Sequence, residues 1–225
     1  MSLILNIDTT SESALVNIGE KGAVLFEEKN DLQKDHASFL HPAIERVLKK
    51  ANISIREVDA VSVCHGPGSY TGIRVGVAAA KGLCYAARKP LITVNQLEIL
   101  AKDAIENNTG NNGLYCPLID ARRMEVFTAV YDNTLKEIAS PSALILDHHS
   151  FHDFLNAGKV FFIGSGILKW EIVCTHPNAR YQKIVNKGLA FSKLSYEFFQ
   201  RGGFASLAYA RPLYIKDFHT TAVAR

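Results

Sequence analysis

Cysteine is scarce. Four are present in 225 residues, Cys64, Cys84, Cys116 and Cys174, and no two stand at C-x-x-C spacing. A zinc ribbon or a thioredoxin-like redox pair needs that spacing, so neither is signalled. So few cysteines in a chain of this length do not make a disulfide framework either. Long apolar runs are also missing. Nothing approaches the roughly 18 residues of a membrane span. The opening "LILNI" is too short for the apolar core of a secretory signal and runs straight into Asp8. A cytoplasmic protein without a membrane partner is therefore expected. Charge is not concentrated: 25 Lys and Arg against 22 Asp and Glu give a formal net charge of +3. The basic pairs Lys49–Lys50 and Arg122–Arg123 are scattered, as solvated surface pairs are. Two motif spacings are absent, G-x-x-x-x-G-K-[ST] and G-x-S-x-G, which removes a Walker-type phosphate loop and a nucleophile elbow. What remains is an ordinary globular composition, 48% apolar and 21% charged. It suits one large domain or two lobes of about 100 residues each.

Hydrophobic periodicity supplies the organisation. Leu3–Ile7, Ala14–Ile18 and Ala23–Glu28 read as three tightly joined strands. Asp35–Ala51 carries Phe39, Leu40, Ile44, Val47 and Leu48 at helical spacing. Val58–Cys64 is continuous and rich in β-branched residues, as a buried parallel strand should be. A glycine-rich loop and helix, a strand at Leu91–Val94 and a helix at Gln96–Glu106 follow, giving β-β-β-α-β-α-β-α. "ENNTGNNG" then reads as an exposed loop and marks a lobe boundary, 1–109 against 110–225. Beyond it the pattern restarts. Leu114–Asp120 ends in Ile119–Asp120 as the first strand ends in Ile7–Asp8. Val126–Tyr131, Ala143–Leu146, a helix at Phe151–Asn156, Val160–Ile163, a turn at Gly164–Gly166 and a helix at Leu189–Arg201 complete a looser second copy. The chain predicts an α/β fold built by internal duplication, with the two Ile-Asp turns facing each other across a cleft.

The motifs each admit a plain reading. Asp8-Thr9-Thr10 offers amides and hydroxyls to a phosphate, or forms an ordinary Asx or ST turn. "HGPGSYTG" lies between a strand and a helix, where α/β sheets bind ligands. There Gly66 and Gly68 permit close backbone approach, and Ser69 or Thr71 caps the helix. The plain reading is a turn built for packing. Gly72, Gly76, Ala79 and Ala80 make a smooth helix face suited to contact with another helix or sheet. Asp120-Ala121-Arg122-Arg123 holds a ligand across from Asp8, or is a charged turn. His36 and His41 sit on different helix faces and are poor joint ligands. His148, His149 and His152 have no acidic or Cys partner nearby and read as a solvated loop. No catalytic residue and no metal site is assigned.

Four strings, "LNIDTTSESALVNI", "HASFLHPAIERVL", "GPGSYTGIRVGVAAAKGL" and "IDARRMEVFTAVY", with the fainter "IGSG" and "ARPLYI", together resemble the TsaB family, formerly YeaZ. The similarity is strong over Leu3–Tyr131. The resemblance implies a duplicated actin-like, sugar-kinase-like (ASKHA, ribonuclease H-like) fold. It implies a non-catalytic subunit that binds and activates TsaD in making N6-threonylcarbamoyladenosine at position 37 of tRNAs reading codons that begin with A. ATP and metal would belong to TsaD, a TsaE-type ATPase would join through the complex, and tRNA would be met indirectly. Where TsaD carries an H-x-x-x-H metal pair, this chain has Gln96 and Leu100. The first helix and the glycine-rich helix would dock on TsaD, or on a second copy in a homodimer. The residues implied are His36, Phe39, Leu40, Ile44, Thr71, Arg74, Val75, Gly76, Ala79 and Tyr85. Asp8, Thr9, Thr10, Gly66, Gly68, Ser69, Asp120 and Arg122 remain candidate nucleotide or phosphate contacts. An ATP-dependent enzyme of the actin or sugar-kinase class and a glycoprotease-like metallopeptidase, the family's older label, are the competing readings.

Overall fold

A computed structural model describes residues 2–30 and 35–216. Ten strands and six helices run in two copies of one pattern among these residues. The first copy is β1 (Leu3–Asp8), β2 (Ala14–Glu20), β3 (Ala23–Asn30), α1 (His36–Ala51), β4 (Ala60–Cys64), α2 (Tyr70–Ala87), β5 (Leu91–Val94) and α3 (Gln96–Glu106). The second is β6 (Leu114–Asp120), β7 (Glu125–Tyr131), β8 (Glu137–Ile145), α4 (His152–Ala157), β9 (Val160–Ile163), α5 (Ile167–Val173), β10 (Ala179–Gln182) and α6 (Lys187–Gln200). The sheet orders are β3-β2-β1-β4-β5 and β10-β9-β6-β7-β8, so the second order read backwards is the first with every strand replaced by its counterpart. In each sheet the meander pairs antiparallel and the crossover strands pair parallel. The duplication read from the sequence is present strand by strand.

Three elements differ from the sequence reading. β8 begins at Glu137 rather than Ala143, because an edge strand tolerates the Pro141 that argues against a central one. α5 and β10 carry weak signals: α5 has no side-chain cap, and β10 is the four-residue edge segment "ARYQ".

Helices and sheets stack in layers. On one face of the first sheet Leu5, Ile7, Val61 and Val63 pack with Leu40 and Val47 of α1 and Ile73 and Ala80 of α2. On the other face Ile4, Ala60 and Cys64 meet Ile99 of α3 and Phe191 and Leu194 of α6. The second sheet packs Tyr115, Tyr131, Phe161 and Ile163 against Leu97, Leu100 and Ala104 of α3. Its far face packs Cys116, Leu118 and Phe162 with Leu155 of α4 and Trp170 of α5. The strand alternation explains each split, since neighbouring residues of one strand enter different clusters. The last helix of each copy thus lies against the other copy's sheet. A boundary between residues 109 and 110 separates the two sheets but not the layers, because α6 packs on β1, β2, β3 and β5.

Candidate functional site: two Asp turns and two outward helices

The β1–β2 turn and the glycine loop close on each other. Asp8 is fully buried, and its Oδ1 accepts the Thr10 amide at 2.8 Å and the Thr10 hydroxyl at 2.7 Å. The Thr9 hydroxyl donates to the Gly72 carbonyl at 2.7 Å, and the Ser69 amide donates to the Thr10 carbonyl at 2.7 Å. Ser69 is the α2 cap, its Oγ accepting the Gly72 amide at 3.3 Å. Gly68 has φ +154°, and a Cβ there would strike the Thr10 backbone, so glycine is needed for this approach. At Gly66, φ +113°, a Cβ would meet the Leu213 carbonyl at 2.9 Å, because the tail crosses the loop here.

Gln96 sits behind the turn. Its Oε1 accepts the Cys64 thiol at 3.0 Å and the Thr10 hydroxyl at 3.1 Å, while its backbone N–H donates to the Gly66 carbonyl at 2.8 Å. The Cys64 thiol is pushed well up by burial and by the nearby Asp8 charge, which keeps it a thiol and not a nucleophile. Lys187, the first residue of α6, reaches across from the second copy. Its Nζ is 2.9 Å from Asp8 Oδ2, an ion pair rather than an aligned hydrogen bond, and it donates to Ser11 Oγ at 2.7 Å. Six of the candidate phosphate contacts, Asp8, Thr9, Thr10, Gly66, Gly68 and Ser69, are therefore brought together. Their polar groups bind one another and the chain's own ammonium.

The second copy repeats the local bond in the open. Asp120 Oδ1 accepts the Arg122 amide at 2.6 Å, the counterpart of the Asp8–Thr10 bond. Lys169 Nζ pairs with Asp120 at 2.7 Å, as Lys187 pairs with Asp8. Asp120 and Arg122 are exposed, and among the described residues no hydrogen bond or ion pair joins their turn to the Asp8 turn. His149 donates its amide to Asp147 in an exposed turn. Among the described residues no three His, Cys, Asp or Glu side chains converge as a metal would require.

The ten candidate docking residues divide between two faces. Thr71, Arg74 and Tyr85 are exposed, Tyr85 to 81%. Phe39, Val75 and Ala79 are half-buried. His36, Leu40, Ile44 and Gly76 are buried, which corrects their reading as partner-facing residues. The reason is helical period: α2 turns Gly72, Ile73, Gly76, Val77, Ala80 and Cys84 to its own sheet. At Gly76 a Cβ would fall within contact distance of the Thr9 hydroxyl and 3.7 Å from Ile7. His36 holds the Ser11 carbonyl through Nε2 at 2.7 Å. The smooth outward face is instead Ala78, two turns before Tyr85 and Ala86, and Gly82, one turn before them, and a Cβ at Gly82 would meet nothing within 4 Å. Counting back from Tyr85 in steps of three and four would have found them. Nothing in the sequence pointed to Lys187.

Residues 29–155 match the family model described as TsaD, tRNA N6-adenosine threonylcarbamoyltransferase. The chain is 33% identical over 145 residues to the Bacillus subtilis tRNA threonylcarbamoyladenosine biosynthesis protein TsaB, a match covering 64% of this chain and 62% of that protein. The chain thus spans less than two thirds of that relative's length. The crystal structure of YeaZ from Pseudomonas aeruginosa superposes with a TM-score of 0.82 at 25% identity, covering 95% of this chain and all of that one. An inorganic polyphosphate/ATP-glucomannokinase from an Arthrobacter strain superposes at 0.52 with 10% identity over 88% of this chain and all of that one. The last likeness speaks to fold alone, and with the duplicated sheets it makes this a two-lobe actin-like, sugar-kinase-like architecture.

Proposed function

The chain belongs to the family whose model matches residues 29–155, with relatives named TsaB and YeaZ, and we propose from this premise that it serves tRNA threonylcarbamoyladenosine biosynthesis as a TsaB-type, non-catalytic subunit that binds and activates TsaD. One observation carries the non-catalytic half of this reading. The positions that resemble the metal pair of TsaD are Gln96, 3% exposed and bonded to Thr10 and Cys64, and Leu100, 2% exposed in an apolar cluster. An amide locked in hydrogen bonds and an isobutyl group do not make a divalent-ion site. ATP and the catalytic metal then belong to the partner, and a TsaE-type ATPase joins through the complex.

The docking half rests on α2. Its outward face offers Val75, Ala78, Ala79 and Gly82 beside Tyr85, small residues that let another helix approach and one exposed aromatic to anchor it. Without the partner, the same face pairs with a second copy about a two-fold axis. The test is affinity for the same organism's TsaD, measured for the wild type and for Gly82→Trp. Gly82 has open space around it, so the variant keeps the fold and loses the complex. Unchanged TsaD affinity in Gly82→Trp, or ATP turnover by the chain alone, refutes the proposal.

A further inference from the structure

The β6–β7 hairpin tip is built from residues that its backbone does not favour. Arg122 and Arg123 both have positive φ, 70° and 48°. The tip is short, closed by the Ala121 amide to the Glu125 carbonyl at 3.0 Å and the Glu125 amide to the Arg122 carbonyl at 3.1 Å. Side chains with a Cβ are strained in this left-handed region, and Asn or Gly is the usual occupant. The same chain shows the ordinary solution at the β2–β3 turn, where Lys21 at φ 50° is followed by Gly22 at φ 85°. At β6–β7 neither position has been relaxed. Strain retained at an exposed tip points to use of the side chains.

The two guanidiniums are free to be used. Both residues are exposed, and neither guanidinium has a hydrogen bond, ion pair or ring contact with any described residue. The acids beside them are already matched, Asp120 by Lys169 at 2.7 Å and Glu125 by Lys216 at 2.7 Å. The tip therefore carries two positive charges with no partner among the described residues. The first copy shows the contrast: its turn spends its polar groups internally and is sealed by Lys187, whereas this one presents two planar forks to solvent. The guanidinium fork matches a phosphate oxygen pair bidentately, which an ammonium does not.

We infer that Arg122 and Arg123 form a phosphodiester-binding claw through which this chain contacts RNA directly. The choice of RNA as the source of the phosphates rests on the tRNA reading above. The test uses the whole chain and an unmodified tRNA transcript across a salt series, with ATP as a second probe and TsaD affinity measured in parallel. Arg122→Asn with Arg123→Gly removes both guanidiniums and supplies the residues this backbone prefers. The melting temperature should stay level or rise, and TsaD affinity should hold. Binding to the transcript should weaken, and the slope of log affinity against log salt should fall in magnitude by about 1.5, the share of two phosphate contacts. Arg122→Lys with Arg123→Lys should keep most of the slope but lose affinity.

Four results would overturn the inference: wild-type affinity and slope in the Asn-Gly variant, wild-type affinity in the Lys-Lys variant, a lowered melting temperature, which would assign the arginines to the fold, or binding of ATP but not of the transcript. Loss of TsaD affinity in the wild type would strike the tRNA-modification reading and leave the RNA measurement standing on its own.

Discussion

Two glycines on one helix should respond to the same substitution with opposite signs. Gly76 and Gly82 both lie inside α2. An alanine at Gly82 meets open space, so only the helix term acts, and stability should rise by up to about 1 kcal/mol. An alanine at Gly76 gains the same term but drives its methyl into the Thr9 hydroxyl, which is bonded to the Gly72 carbonyl at 2.7 Å. Overpacking costs about 1–3 kcal/mol and a lost hydrogen bond about 0.5–1.5 kcal/mol. The net loss at Gly76 is then about 1–3 kcal/mol. For a chain of this size each kcal/mol moves the melting temperature by about 2–4 °C. Gly76→Ala should therefore melt roughly 3–10 °C below wild type and Gly82→Ala about 2–4 °C above it. Thr9→Ala empties the contested space, so Thr9→Ala with Gly76→Ala should lose less than the two single changes added, by about 1 kcal/mol. Thr9→Ser keeps the hydroxyl and should rescue nothing. A Gly76→Ala protein that melts at or above wild type, or two changes that simply add, refutes the packing argument and returns Gly76 to the partner face.

Three further perturbations read other parts of the fold. Lys187→Met strips Asp8, fully buried, of the cation beside it; breaking such a pair should cost about 3 kcal/mol in denaturant unfolding, and Asp8→Asn in the same chain should recover most of it. The Glu98 carboxyl is held above the ordinary 4.5 by burial, so the native state holds its proton more tightly than the unfolded chain. Stability from this group is full below the ordinary value and is lost as pH rises through the folded one. Glu98→Gln should thus raise the melting temperature at neutral pH, and the difference should vanish in acid. Tyr214→Ala removes the hydroxyl that accepts Arg74 Nε at 2.8 Å and the ring lying 5.3 Å from Tyr70, so tryptic cleavage after Arg211 should become faster.

The duplication was legible because it is written in local terms. Ile7–Asp8 and Ile119–Asp120 close equivalent strands, and the carboxylate of each Asp takes an amide two residues on. Binary patterning also located the central strands, whose continuous apolar runs belong to buried parallel pairs. The facing of the glycines was not legible. A glycine in a helix signals close approach by something, and its own strand satisfies that signal as well as a partner helix does. The candidate interface was split for the same reason, since a spacing that marks one buried stripe does not say which side is left outside. The polar contacts that seal the Asp8 turn were hidden by distance along the chain. Lys187 and Gln96 carry no mark that would connect them to Asp8 and Thr10.

The exchange of terminal helices between copies bears on what the molecule can do. α3 lies on the second sheet and α6 on the first, and the two are bound to each other where Asp103, 2% exposed, accepts the amides of Val185 at 2.8 Å and Asn186 at 2.7 Å. An opening that drew the sheets apart would strip apolar side chains from both helices and take the Val185 and Asn186 amides from Asp103. Each such exposure works against a hinge, because the cost of an unpaired buried carboxylate is several kcal/mol. Two-lobed α/β proteins that close on ligands need a hinge of low cost. This chain has spent its inter-lobe groups on holding the lobes together. What it offers instead is fixed surface: the outward side of α2 on the first copy, and the arginine-tipped hairpin on the second. Surfaces that are already ordered lose little conformational entropy when engaged, which agrees with the proposed role of a subunit that positions others.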